Sequence, residues 1–333
     1  MGHVVRQLLL VLMTILGSTS AMLGQPATSA LLQLEDKIPL GAVSGRIDHM
    51  AVDLERHRLF VAELGNDSVG VVDLDTQKVI HRISGLKEPQ GVAYVSANDL
   101  LYVANGGDGS VRVYHGLDYS PAGRIDLGAD ADNIRVDMGA NHLLVGYGGG
   151  AIAVVDLRDN GKIFSFALRA HPESFQLDTS SRRIFVNLPN ARAIAVLNES
   201  TGKEGAVWPL RHEGNFPMAL DPERHRVLVA FRNPAKLAAF DWQTGDVVSE
   251  VDICGDADDL FLDRKRNRVY LTCGAGFIDI LSADDTNYSR QARISTVSGA
   301  RTGLFVPEMD RLLLAVRSHA KEPAAIWVYR AIP

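Results

Sequence analysis

A repeat of 41 to 43 residues runs along the chain and constrains its fold more than any other feature. Each unit holds a run of β-branched and aromatic residues, a turn of Gly, Asn, Asp or Pro, and a second such run, which is the pattern of a β-hairpin. Examples are RLFVAELGNDSVGVVDL at 58–74 and LYVANGGDGSVRVY at 101–114. A further short apolar strand precedes each hairpin. Aligning these strands places seven residues at one equivalent position: His49, Gln90, Asn133, Ser174, Pro217, Asp259 and Thr302.

This period, with four strands per unit, predicts an all-β fold, a seven-bladed β-propeller with four antiparallel strands per blade. No unit contains a helical period, which excludes helical and leucine-rich solenoids. The seventh unit stops at Pro333 after its third strand, whereas segment 31–41 has the pattern of a strand without a unit of its own. Because a ring closes best without an exposed sheet edge, this N-terminal strand is predicted to complete blade seven.

Residues 1–24 have the layout of a secretory signal peptide, with cleavage expected somewhere between 21 and 30. Arg6 precedes an apolar stretch at 8–16, and small residues follow. The stretch is shorter than the roughly 20 residues that span a bilayer. We therefore predict that 31–333 forms a single propeller domain that is periplasmic or secreted, with no membrane span in the mature chain.

The charge balance of the chain argues against nucleic acid as a partner. It carries 40 acidic residues against 34 lysines and arginines, for a formal net charge of −6. Nucleic-acid binders present a basic stripe to the phosphate backbone, and the sequence shows none. We therefore expect a small molecule, a peptide or a protein as the partner, and no nucleic acid.

The hairpins also carry a family resemblance. LYVANGGDGSVRVY, RLFVAELGNDSVGVVDL and RVYLTCGAGFIDIL resemble the YVTN-type repeat of secreted bacterial propellers, the YncE-like group. The resemblance covers nearly all of the chain after the leader; it implies the fold and export, and assigns no activity. More distantly, the ring is similar to the gluconolactonase and regucalcin propellers. That similarity implies a divalent cation on the axis, held by acidic and amide side chains.

The loops that lead into the inner strands are where function is expected. In a propeller these loops meet at one face of the axis, on a rigid scaffold that suits binding. They contain eight carboxylates but only three lysine or arginine side chains, so we predict an acidic axial funnel. Its ligand-binding residues are predicted to be Arg46, Asp48, His49, Glu88, Gln90, Asp130, His171, Asp256, Asp259 and Arg301.

Carboxylates that converge on one axis need a cation or a proton between them. An oxygen-rich set suits Ca²⁺, which takes 6–8 oxygen ligands, so a divalent cation is the one cofactor we consider. The predicted metal ligands are Asp132, Asn133, Glu173, Asn215 and Asp258. In the alternative interpretation, the same side chains cap backbone groups and pair with Arg46, Lys87 and Arg301.

Familiar catalytic motifs are missing from the sequence. The glycine-rich turns 106–109 and 148–150 open no helix and lack the lysine of a phosphate-binding loop, so we interpret them as hairpin turns. No Gly-x-Ser-x-Gly elbow, His-Glu-x-x-His motif or Cys-x-x-Cys-His motif occurs. Cys254 precedes the inner strand of blade six and Cys273 ends its second strand, and in an exported protein they are predicted to form a disulfide.

Two functions follow from these observations. The first is an exported module that binds a ligand or a protein through the acidic funnel, with Ca²⁺ as a candidate cofactor. The alternative is a metal-dependent hydrolase or lyase of the lactonase type, in which a cation polarises a carbonyl and a nearby carboxylate or histidine moves protons. No catalytic residue is assigned.

Overall fold

A computed structural model describes residues 1–2, 31–284, 287–319 and 322–333. The predicted signal peptide and its cleavage region lie, apart from residues 1–2, outside the described residues. Leu31–Pro333 forms one compact unit. Within the described ranges, no helix has the length and apolar content that crossing a bilayer requires.

The described residues form 28 strands in seven four-stranded sheets. The chain begins with β1 (Leu32–Pro39). Blade one consists of β2 (Met50–Asp53), β3 (Arg58–Glu63), β4 (Ser68–Asp73) and β5 (Lys78–Ser84). Blade two consists of β6 (Pro89–Val95), β7 (Leu100–Asn105), β8 (Ser110–His115) and β9 (Pro121–Asp126). Blade three consists of β10 (Ala131–Asp137), β11 (His142–Tyr147), β12 (Ala151–Asp156) and β13 (Lys162–Ala167).

The remaining blades follow the same plan. Blade four consists of β14 (Phe175–Asp178), β15 (Arg183–Leu188), β16 (Ala193–Asn198) and β17 (Lys203–Pro209). Blade five consists of β18 (Glu213–Asp221), β19 (Arg226–Asn233), β20 (Ala235–Asp241) and β21 (Val247–Asp252). Blade six consists of β22 (Ala257–Asp263), β23 (Arg268–Cys273), β24 (Phe277–Ser282) and β25 (Arg290–Ser295). Blade seven contains β26 (Gly303–Val306), β27 (Arg311–Val316) and β28 (Ala325–Ala331). Single 3₁₀ turns lie at Leu64–Asn66, Pro189–Ala191 and Pro307–Met309.

The ring closes through the two ends of the chain. Blade seven has the strand order β26–β27–β28–β1, so β1 is its outer strand. The pairing is antiparallel, with Leu32 opposite Ala331 and Pro39 opposite Ala325. The predicted seven-bladed fold and its closure by the N-terminal strand are therefore confirmed.

The hydrophobic core lies between blades rather than at the axis. Seven clusters of buried apolar side chains are present, and each joins two neighbouring sheets. The two middle strands of a blade are covered on both faces, so their sequences are continuous apolar runs. Outer strands such as β21 alternate between exposed and half-buried residues. This burial pattern is the physical origin of the sequence repeat.

The glycine-rich segments are hairpin turns, as predicted. Gly109 has a φ of +65° and Gly148 has a φ of +61°, in the left-handed region that glycine adopts without a steric penalty. A Cβ atom on Gly109 would also lie 2.2 Å from the backbone nitrogen of Ala129. These glycines therefore serve the turn and give no evidence of phosphate binding.

Candidate functional site

A cavity of about 300 Å³ lies on the axis, at the end of the ring where the inner strands begin. All seven blades contribute to its wall. The lining residues are Arg46, Asp48, His49, Gln90, Asp130, Asp132, Asn133, His171, Glu173, Ser174, Phe216, Arg232, Asp258, Asp259, Arg301 and Thr302. We call this space the axial cavity and this end of the ring the cavity face. Six carboxylates and five basic side chains share the lining.

Most of the predicted funnel residues line the axial cavity. Those that do are Arg46, Asp48, His49, Gln90, Asp130, His171, Asp259 and Arg301. Glu88 and Asp256 lie outside the lining. Glu88 belongs to an exposed turn, in which its φ is +51°. Asp256 instead contacts two of the lining arginines, Arg232 and Arg301.

Arg232 is the main lining residue that the sequence did not suggest. It lies near the end of β19, the second strand of its blade, and not in a loop that leads into an inner strand. Its guanidinium forms an ion pair with Asp258, lies 3.2 Å from Asp256, and stacks 3.7 Å over the Phe216 ring. Arg301 contacts the same two acids, at 2.9 Å from Asp256 and 3.3 Å from Asp258. Two arginines and two aspartates thus form a compact cluster on one side of the site.

Asp48 is held by two basic side chains. Its carboxylate oxygens lie 2.6 Å from Arg46 Nη2 and 2.8 Å from His49 Nδ1. Burial opposes the charge on Asp48, but His49 and Arg46 outweigh burial and lower its pKa. Burial also opposes the charge on His49, yet the interactions with Asp48, Asp132 and Asp259 raise its pKa to about 10. Both members of the pair are therefore charged at neutral pH.

His171 lies beside two acids of blade three. Its Nδ1 is 3.5 Å from Asp130 Oδ2, and its Nε2 is 3.7 Å from Asp132 Oδ2. The interaction with Asp132, helped by the carbonyl of Gly148 and the charge of Asp130, outweighs burial and raises the pKa of His171 to about 9. Gln90 donates to Asp130 Oδ1 at 3.3 Å. The cavity therefore holds a second imidazolium at neutral pH.

In contrast to the two histidines, whose charged forms are stabilised, Glu173 has a pKa that is shifted toward its neutral form. Burial is the largest cause that raises its pKa, to about 7, and the charge of Asp132 acts in the same direction. His171 opposes this rise only in part. Glu173 therefore exchanges its proton near neutral pH. Perturbed groups of this kind in a cleft are enriched at functional sites.

Asp259 is the second acid that titrates near neutrality. Burial and the charge of Asp258 raise its pKa to about 7, against the influence of His49. The backbone N–H of Gly303 donates to Asp259 Oδ2 at 2.7 Å, which links blade six to blade seven. Asp259 is thus partly satisfied by the scaffold, unlike Glu173.

The predicted metal ligands are only partly brought together. Asp132, Asn133, Glu173 and Asp258 line the axial cavity, whereas Asn215 lies outside the lining. Asn215 is fully buried, and its amide donates to the Asn187 side chain and the Ala193 carbonyl. Within the described part of the chain, no group of three or more His, Cys, Asp or Glu side chains is arranged to hold a metal ion. Ca²⁺ binding therefore stays a prediction.

Cys254 and Cys273 form a disulfide in blade six, as predicted. The bridge lies at the cavity face, because Cys254 precedes β22 and Cys273 is the last residue of β23. The backbone N–H of Cys254 donates to Asp279 Oδ2 at 2.7 Å. The disulfide thus anchors the segment that carries Asp256 and Asp258.

The fold and the cavity define a seven-bladed β-propeller with a charged axial opening. The chain is similar to a chain of the solved structure titled "Crystal Structure of Mitotic Checkpoint Complex", with a TM-score of 0.77 and 14% sequence identity. The match covers 95% of this chain and 98% of that chain. At this identity the likeness shows the fold alone. No family model matches the sequence, and no curated protein matches it. The YVTN-type, YncE-like resemblance therefore stays a prediction.

Proposed function

We propose that this chain is an exported binding module that holds a small polar molecule in the axial cavity. The observation that carries the proposal is the convergence of charged side chains from six blades, and of the Gln90 amide from blade two, on one space of about 300 Å³. A volume of this size fits a small metabolite better than a folded partner. Fixed polar groups of both signs also provide the directional contacts that select one ligand.

Export is supported by the covalent chemistry of blade six. Disulfides form and persist in oxidising compartments outside the cytoplasm. The Cys254–Cys273 bridge is consistent with such a location, and with the predicted periplasmic or secreted destination. This supports a role in capturing a molecule outside the cytoplasm.

A thermal-shift screen of small polar metabolites, followed by calorimetric titration, tests the binding function. We expect at least one compound to raise the melting temperature and to bind Arg301→Gln more weakly by about tenfold, because a charged hydrogen bond is worth roughly 1.5–3 kcal/mol. The matched control is Arg290→Gln, whose side chain is 40% exposed on outer strand β25. Equal affinity for both variants, or a screen without any binder, contradicts the proposal.

A metal-dependent hydrolase or lyase of the lactonase type is the second candidate. It is favoured by one observation, the pKa of about 7 for Glu173, which suits a group that gives and takes protons. Turnover of a lactone and ester panel by chelator-treated and Ca²⁺-reloaded protein tests it. Activity that requires Ca²⁺ and is lost in Glu173→Gln, but not in the exposed control Glu223→Gln, would favour catalysis over binding.

A further inference from the structure

The acids of the axial cavity differ in how closely the protein pairs them. Asp48 contacts Arg46 and His49, and Asp258 contacts two arginines. Asp259 accepts the backbone N–H of Gly303. Each of these carboxylates already has a guanidinium, an imidazole or a backbone N–H close to it, although Asp48 Oδ2 faces Arg46 without hydrogen-bond geometry. They therefore need less from a ligand than an acid that has no such neighbour.

Asp132 and Glu173 are different. The side chain of Asp132 is 9% exposed, and its Oδ1 is buried without a hydrogen-bond partner. His171 Nε2 lies 3.7 Å from the other oxygen, so it forms a long ion pair with Asp132 and donates no hydrogen bond at that distance. Within the described residues, the Glu173 carboxyl has no hydrogen bond or ion pair, and only its backbone N–H donates, to the Asn187 carbonyl. These two carboxyl groups therefore lack hydrogen-bond donors, which a ligand in the cavity could supply.

We propose that the ligand is a small primary amine whose ammonium group binds between Asp132 and Glu173. This inference rests on the binding function proposed above and names the chemical class of its ligand. An ammonium has three donors and no acceptor. The two carboxylates, from neighbouring blades, accept two of them, and the Ser174 hydroxyl in the same lining offers a third acceptor.

The surroundings favour an ammonium over Ca²⁺. A calcium ion takes 6–8 oxygen ligands and carries two charges. Asp132 and Glu173 supply at most four oxygens, and His171 and Arg232 flank them with positive charge. A monovalent organic cation requires fewer oxygens and meets less repulsion. The remaining polar lining is then free to recognise the rest of the molecule.

Isothermal titration of the purified full chain with ethanolamine and with propylamine tests the inference. Ethylene glycol serves as the neutral match, succinate as an anion and CaCl₂ as the metal. All titrations are run at pH 7 in HEPES, because Tris is itself a primary amine and phosphate precipitates calcium. The variants are Asp132→Asn and Glu173→Gln, with Asp75→Asn as the control, since the Asp75 side chain is 71% exposed. Thermal melts confirm that each variant is folded.

We expect both amines to bind, with affinity lowered about tenfold or more in Asp132→Asn and Glu173→Gln and unchanged in the control. Binding of ethylene glycol, succinate or CaCl₂ without binding of the amines would overturn the amine inference and leave the binding function standing. If none of these probes binds and the metabolite screen also fails, both proposals fall.

Discussion

The two ends of the inner strands use the same acidic residue in different ways. At the end opposite the axial cavity, an aspartate closes the inner strand in five blades: Asp53, Asp137, Asp178, Asp221 and Asp263. Each is buried and accepts hydrogen bonds from the turn that follows. At the cavity face, Asp132 and Glu173 have no such donors.

Strand β10 contains both situations within six residues. Asp137 accepts the backbone N–H of Ala140 at 3.1 Å and pairs with Arg182 at 3.0 Å. Asp132, near the start of the same strand, leaves one buried oxygen unpartnered. Burial alone therefore does not distinguish a structural acid from a candidate ligand-binding acid. The presence or absence of donors does.

This comparison predicts that acids at the two ends affect stability with opposite signs. The largest effect is expected for Asp263→Ala. Asp263 is 2% exposed and accepts hydrogen bonds from Arg266 and Tyr270, whose groups would lose their partner. We expect the free energy of unfolding in urea to fall by about 4 kcal/mol, as for other broken buried pairs.

The control for that measurement is Asp75→Ala, on an exposed turn. Its effect should stay below about 0.5 kcal/mol, since exposed ion pairs contribute little. A loss of under about 1 kcal/mol in Asp263→Ala would remove the distinction between the two ends.

The second largest effect on stability is expected from removal of the Cys254–Cys273 disulfide at the cavity face. Replacing both cysteines by alanine, Cys254→Ala with Cys273→Ala, should lower the free energy of unfolding by about 3 kcal/mol in the chain-entropy model. Chemical denaturation of the wild type with and without reductant provides the internal comparison. Reduced wild type and double variant should unfold at the same denaturant concentration. A double variant as stable as the oxidised wild type would show that the bridge adds no stability.

The smallest expected effect is an increase in the free energy of unfolding, in the variant Glu173→Gln. Glu173 has a folded pKa of about 7 against an ordinary value of 4.5, so its burial destabilises the protein above pH 4.5, fully so above pH 7. Glu173→Gln should therefore raise the free energy of unfolding by about 2 kcal/mol at pH 8 and leave it unchanged at pH 4. Denaturation at both pH values, with Glu223→Gln as the control, measures this. An equal gain at pH 4, or a loss at pH 8, would contradict the electrostatic assignment.

The fold could be predicted in detail because the repeat sets the register of every inner strand. Of the seven aligned positions, six line the axial cavity, including Ser174 and Thr302, to which no role was assigned. In blade five the lining residue is Phe216, next to the aligned Pro217. A period near 42 residues thus locates the site as well as the blades.

The charge partners could not be predicted in the same way. Arg232 reaches the axis from the far end of a second strand, a position that reading the loops before the inner strands does not cover. The turns between second and third strands reach the same face, and examining them would have found this arginine. The raised pKa of Glu173 depends on burial and on Asp132, which lies in another blade and 41 residues away in the sequence. The residues around Glu173 in the sequence therefore do not predict it.

The pairing of β1 with β28 also decides where the polypeptide leaves the ring. Pro39 and Ala325 mark the end of this ladder nearest the cavity face, whereas Leu31 and Ile332 are joined by a hydrogen bond of 3.0 Å at the other end. A tag, linker or solid support attached before Leu31 or after Pro333 therefore departs from the rear of the molecule. Immobilised through a linker after Pro333, the protein presents its axial opening outward to the solution.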